Sequence, residues 1–302
     1  MNHGPLVFLG VFVTLVTSWF GMIFVPELQV GSLKPVAAEV SGGLYPAAKP
    51  GMAQQGAEVY RQQGCYYCHS QQVRQSGVEF DLYLTEVGDK PEQVLDVVSR
   101  ANPQFGAAAV KKLVQKLPAP VLSGARFEDM QKVTQFLKDA GAKFEMHVVA
   151  LGPDLDRGWG ARRTVANDLL FERTVMLGEQ RIGPDLSAIG LRRPDAAWHF
   201  NHLYAPTSVV EGSRMPAYTF LFEERPVGRI PSADALKLAE GLVKPGHEVV
   251  PKPAAQALVA YLQSLKSNVA VFEAPMKPEP KKEDPAAATN VVNAAAAATP
   301  AK

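Results

Sequence analysis

Residues 65–69 read Cys65-Tyr66-Tyr67-Cys68-His69, and they hold both cysteines of the 302-residue chain. C-x-x-C-H is the covalent attachment signal for a c-type haem. Its spacing has a chemical reason: two thiols three residues apart on one turn can each form a thioether to a haem vinyl group, and the next histidine then lies under the iron. Two other readings were weighed. A thioredoxin-like dithiol needs a βαβ setting that the flanking sequence lacks. A zinc site needs further ligands, and only scattered histidines remain. With no other cysteine, a disulfide framework and a four-cysteine zinc site are excluded.

Upstream, residues 6–25 (LVFLGVFVTLVTSWFGMIFV) run for twenty residues without a charge between Pro5 and Pro26. A helix of that length spans about 30 Å, the hydrocarbon thickness of a bilayer. A cleaved signal peptide would have a shorter apolar stretch and a basic start. A buried soluble helix rarely goes so long without a charge. Residues 1–26 are therefore expected to anchor the chain in a lipid bilayer. Lys34 is the only nearby basic residue, so charge does not orient the anchor. The haem signal does, because such haems are attached outside the cytoplasmic membrane. The N-terminus is expected inside and residues 27–302 on the periplasmic side of a bacterial inner membrane.

The chain is long enough for about two domains and apolar enough (47% hydrophobic residues) to bury a core. Its 31 basic and 30 acidic residues give a net charge of +1, which argues against a nucleic-acid partner and for docking with little electrostatic steering. Residues 27–50, rich in Pro, Gly and Ala, read as a linker. Residues 51–273 read as a mainly α haem domain of the class I cytochrome c kind. Within it, residues 77–150 are expected to form a helical insertion, with helices over PEQVLDVVSR, FGAAAVKKLVQKL and FEDMQKVTQFLKDAG. Ser232 is expected to cap a helix over SADALKLAEGL, and Pro253 to open the last helix. Residues 274–302, dominated by Pro, Ala and charge, read as a disordered tail. Few strands are expected.

An iron with His69 on one side needs a sixth ligand for electron transfer. Of eight methionines, Met1 and Met22 lie at the membrane end, Met276 in the tail and Met130 on a packed helical face. Position alone leaves Met52, Met146 and Met176 open. Met215, in Gly212-Ser213-Arg214-Met215-Pro216-Ala217-Tyr218, has the setting of a distal-ligand loop. His/Met ligation raises a haem's potential and suits electron transfer. Pro184, in Gly183-Pro184-Asp185-Leu186, is expected to accept a hydrogen bond from His69 and fix its ring. Arg157, Arg162, Arg163 and Arg181 are candidates to neutralise haem propionates. His199 and His202, without a carboxylate or cysteine partner, read as hydrogen-bonding rather than metal-ligating residues.

The segments GCYYCHSQQVR, RGWGARRTVANDLLF, LGEQRIGPDLSAIGLR and DAAWHFNHLYAPTSVVEGSRMPAY together resemble the mono-haem subunit II of cbb3-type cytochrome c oxidases. The resemblance covers the anchor and most of residues 51–225. It implies one covalently attached haem c with His69 and Met215 on the iron. It also implies a non-catalytic electron-transfer role, from a cytochrome c-type donor or second cytochrome subunit to a multi-span haem–copper catalytic subunit. Residues 77–150 and the Ala/Pro-rich tail depart from the family pattern. The alternatives are the cytochrome subunit of nitric oxide reductase, a free-standing membrane-anchored electron shuttle, and a haem sensor or peroxidase with an open sixth position.

Overall fold

The structure, a computed structural model, describes residues 3–38, 43–101, 103, 107–271 and 274–275. The expected disordered tail falls, apart from its first two residues, outside the described residues. At the N-terminus a continuous helix, α1 (Gly4–Val30), has a π-helical turn at Phe20–Phe24. Pro5 suits its first turn, where an N–H would have no partner. The hydroxyls of Thr14 and Thr17 donate to the carbonyls of Gly10 and Val13, so they add no unpaired polar group to an otherwise apolar surface. At 27 residues it is the one described helix long and apolar enough to cross a membrane, and none of that apolar window is buried by the protein. It runs past the expected boundary at residue 26.

The expected linker is partly built. Strands β1 (Val36–Ala38) and β2 (Gly43–Tyr45) pair antiparallel. Its far end is fastened to the domain: the Tyr45 hydroxyl donates to Asp168 at 2.6 Å, and Lys49 pairs with Glu172.

Helix α2 (Gly51–Gln62) leads into the cysteine motif, which occupies a single 3₁₀ turn, Cys65–Tyr67. The last helix, α8 (Pro253–Ser264), opens at Pro253 as expected and lies across α2. Among the elements between them are α6 (Ile189–Arg192), α7 (Ala196–Tyr204) and the turn Pro206–Val209. The α2–α8 crossing depends on Gly56. A Cβ there would stand 1.9 Å from the Ala257 carbonyl oxygen, so only glycine lets the two backbones touch. One turn away the rings of Tyr60 and Tyr261 meet at 5.4 Å, tilted by 58°. Around them Leu186, Ile189, Leu203, Leu258 and Leu262 form the main core, each such side chain contributing about 1.5–3 kcal/mol on burial. The strands β6 (Phe222–Pro226) and β7 (His247–Pro251), antiparallel, close its edge.

Two expectations are corrected. Residues 77–150 are not simply helical. The three expected helices are present as α3 (Pro91–Ala101), α4 (Ala107–Val114) and α5 (Phe127–Asp139). They belong, however, with an antiparallel sheet of order β4-β3-β5, formed by β3 (Gly77–Glu86), β4 (Ala119–Ala125) and β5 (Lys143–Leu151). The reason is a period-two pattern: Val78, Phe80, Leu82 and Leu84 alternate with Glu79, Asp81, Tyr83 and Thr85, and Phe144, Met146 and Val148 alternate with Glu145 and His147. Register pairs Leu82 with Met146 and Leu84 with Phe144, so one face of the sheet is apolar. Against it pack Val94, Val98, Val110 and Leu137, a core separate from that around Tyr60. Second, SADALKLAEGL is not a helix. The Ser232 backbone N–H and hydroxyl both donate to Glu248, and Leu236 N–H donates to the Val249 carbonyl at 2.8 Å, so the segment lies along β7 instead.

Replacing Gly56 by Val should force α2 and α8 apart and cost about 3 kcal/mol, the upper range for overpacking a tight contact. Thermal unfolding of the purified chain measures it, and an unchanged midpoint would contradict the crossing.

Candidate functional site

The turn that carries the cysteines delivers His69 to a loop 115 residues away in sequence. His69 Nδ1 lies 2.8 Å from the Pro184 carbonyl oxygen, the contact expected from the sequence. A carbonyl only accepts, so Nδ1 carries the proton and donates. In the neutral ring, Nε2 keeps its lone pair for a metal. Burial lowers the His69 pKa below the ordinary histidine value, outweighing the Pro184 hydrogen bond that favours the proton. Gly183 is what permits the approach: a Cβ there would come 2.2 Å from His69 Cε1.

The attachment segment is held to this loop on both sides. Gly183 N–H donates to the Cys68 carbonyl at 3.0 Å, and Leu186 N–H to the Ser70 carbonyl at 2.8 Å. Asp185, with no exposed surface, accepts from Ser70 Oγ and the Gln72 N–H on one oxygen and from the Ser187 N–H and Oγ on the other. Gln71 reaches α8 through a 2.9 Å hydrogen bond to the Tyr261 hydroxyl. Sequence reasoning named Pro184 but missed Asp185, Ser70 and Ser187. The only signal was their polarity next to the motif and the loop.

Neither cysteine is in a disulfide. Burial pushes the Cys65 thiol up to about 12, so it stays protonated and is a poor nucleophile for disulfide exchange. Cys65, Cys68 and His69 do not converge as a metal-ligating cluster, and none of three or more His, Cys, Asp or Glu occurs among the described residues.

Met215 is half-buried against the main core, as are Cys65, Tyr66 and Tyr218. Its loop is secured to α7 by the Tyr218 N–H, which donates to the Leu203 carbonyl at 2.8 Å. Of the methionines that position left open, Met52 and Met146 are exposed, the latter in β5 away from the main core. Met176 is buried in the main core, next to Leu177, whose carbonyl accepts from the Gln71 N–H.

His199 is buried and its Nε2 lies 2.8 Å from the Arg193 carbonyl, the hydrogen-bonding role expected for it. His202 stacks on Trp198 at 4.8 Å, and its Nδ1 is buried without a hydrogen-bond partner. Burial and the nearby His69 and His199 push its pKa down to about 4, so it is neutral. An orphaned polar atom beside His69, a ring held with Nε2 free, and a half-buried thioether packed on the same core as Cys65 fit a haem.

Two of the candidate arginines have acidic partners within the protein. Arg162, fully buried, makes a two-pronged ion pair with Asp168 at 2.7 and 2.9 Å and donates to the Val269 and Arg163 carbonyls. Burial opposes its charge, but Asp168 more than compensates and its pKa is raised. Arg181, offered as a cofactor contact, pairs with Asp154 and donates to the Gln72 carbonyl, with its Nε unpartnered. A cleft of about 740 Å³ beside Tyr45, Lys49 and Asp168 includes neither His69 nor Met215.

Two comparisons bear on this site. Residues 157–236 match the model of the family described as cytochrome C oxidase, mono-heme subunit/FixO. The matched span contains Arg181, Pro184, Asp185 and Met215, and it begins just after β5 ends. A different likeness is to the large ribosomal subunit protein bL12. The chain is 44% identical over 68 residues to that of Bifidobacterium animalis subsp. lactis (strain AD011), which is 22% of this chain and 53% of the relative. With bL12 of Chlorobium phaeovibrioides the figure is 41% over 68 residues, 22% of this chain and 54% of the relative. The chain thus spans about half the length of these curated relatives.

Replacing Asp168 by Ala would leave Arg162 buried and unpaired, at a cost of about 3–5 kcal/mol. The melting temperature should fall by roughly 10 °C. A fall of only a degree or two would show that the pair does not hold the Tyr45 and Val269 segments in place. Through residues 157–236 the chain is similar to the family of mono-haem subunits of cytochrome c oxidase, FixO.

Proposed function

We propose that the chain is the membrane-anchored cytochrome subunit of a cbb3-type oxygen reductase, with one haem c attached through Cys65 and Cys68 and ligated by His69 and Met215. The observation that carries it is the His69–Pro184 hydrogen bond, which joins the attachment motif to a loop inside the FixO-matched span. Bound there, the haem supplies a one-electron ferric/ferrous couple. The chain's own residues do the rest. Cys65 and Cys68 would tether the group, and Pro184 fixes the His69 ring and leaves Nε2 as the nitrogen that would ligate it. Met215 supplies a thioether, which favours the reduced state. The buried side chains of the main core, against which Cys65 and Met215 pack, would shield one side of the group from water. Helix α1 holds the domain at the periplasmic face of the inner membrane. There it takes electrons from a cytochrome c-type donor and hands them to a multi-span haem–copper subunit.

Replacing Met215 by Ala should convert the reduced protein from a carbon monoxide-insensitive, six-coordinate spectrum to one that binds carbon monoxide, and should lower the potential. Met176→Ala should leave the coordination unchanged. The opposite pattern would make Met176 the ligand, and carbon monoxide binding by the unaltered protein would favour a sensor or peroxidase. Purification in mild detergent with a haem–copper subunit that reduces oxygen, not nitric oxide, separates the proposal from the reductase and free-shuttle alternatives.

A second reading concerns residues 77–151. We propose that they are an α/β domain, the part of the chain that carries the likeness to bL12, set into the haem domain. It has its own core, and its 75 residues accommodate the 68 matched. It enters and leaves at one point: Gly77 pairs with Leu151, and Ser76 N–H donates to the Leu151 carbonyl at 2.8 Å. A chain in which a short Gly/Ser turn replaces residues 77–151 should still incorporate haem with an unchanged visible spectrum. Loss of haem with an otherwise folded, membrane-bound product would show that the segment belongs to the haem domain.

A further inference from the structure

We propose that Asp185 is a positioning residue that sets the strength of the hydrogen bond from His69 to Pro184, and through it the electron affinity of the haem; this rests on the haem c reading above. His69 is followed by Ser70, and Pro184 by Asp185. The two partners of the hydrogen bond are thus each one residue from the same buried carboxylate. One of its oxygens takes Ser70 Oγ at 2.6 Å and Gln72 N–H at 2.7 Å, both from the segment that carries His69. The other takes Ser187 N–H at 2.8 Å and Ser187 Oγ at 2.6 Å, both from the loop that carries Pro184. Arg192 donates to the Asp185 main-chain carbonyl and fastens the loop to α6.

A carboxylate with no exposed surface and four donors is costly to bury unless every donor is aligned, and hydrogen bonds to a charged acceptor are about twice as strong as neutral ones. The clamp therefore fixes the separation of residues 69 and 184 more stiffly than the backbone hydrogen bonds beside it. A short Nδ1–H···O bond places electron density on the imidazole and stabilises the oxidised iron. Loosening the clamp raises the potential. An asparagine at 185 has the shape of aspartate but sets an NH₂ group against two donors on one side, so the geometry is lost while the volume is kept.

The test is made on the full haem-loaded chain in detergent, labelled with ¹⁵N-histidine. In Asp185→Asn the His69 Nδ1–H should exchange with water about tenfold faster, in line with loss of charge-assisted bonds, and the potential should rise. Ser70→Ala and Ser187→Ala, which keep the charge and remove one donor each, should change both quantities in the same direction by smaller amounts. They decide the question should Asp185→Asn fail to retain haem. A potential that rises in Asp185→Asn alone, with Nδ1–H exchange unchanged in all three, would make Asp185 only a nearby charge and overturn the inference. An unaltered protein without a histidine-ligated haem would instead overturn the functional reading beneath it.

Discussion

The site depends on holding His69 against Pro184, 115 residues further along the chain. A single hydrogen bond cannot do this, since its net worth is about 1 kcal/mol and closing so long a loop costs more. The structure shares the work among several contacts between the same two segments. These are the backbone bonds from Gly183 to Cys68 and from Leu186 to Ser70, and the Asp185 carboxylate that binds both sides. Gly183 allows the close approach, and Gly56 brings α8, with Tyr261 and its bond to Gln71, against the other side of the attachment segment.

The length of the intervening chain is less of a burden than it looks. Residues 77–151 start and finish side by side, so to the haem-domain segments they act as a short loop closed at Ser76 and Leu151. Arg74 N–H and Arg181 both bind Asp154, which fastens the point of return directly to the attachment segment and to the loop before Pro184. In the same way Arg162, Asp168 and Tyr45 draw the end of the membrane linker and the chain after α8 onto one buried ion pair. The part proposed to bear the haem is therefore braced at its entry, at the break in its sequence and at its exit.

How much of this could be read from the sequence follows the range of the interactions. The twenty-residue apolar run, Pro253 at a helix start and the Gly-Pro loop are local signals, and each was legible. The sheet of residues 77–151 was not, although β3 and β5 alternate regularly. Their alternation is short, and the three helices between and beside them have the stronger pattern. Ser232 was misread as a helix cap because Glu248, its actual partner, is 16 residues away. The pairing of Arg181 with Asp154 is likewise visible only in three dimensions. Asp185 was overlooked for a similar reason: its four donors lie on two segments far apart in sequence.

The central claim, that Cys65 and Cys68 tether one haem, is tested most directly by unfolding the purified full-length chain in acid–acetone or detergent and asking whether haem stays with it. The account predicts one haem per chain retained after denaturation, with the alkaline pyridine spectrum of a doubly thioether-linked haem, and none retained when both cysteines are replaced by Ala. Haem that is extracted from the unaltered chain, or two reactive thiols titratable in the denatured holo-protein, would contradict it.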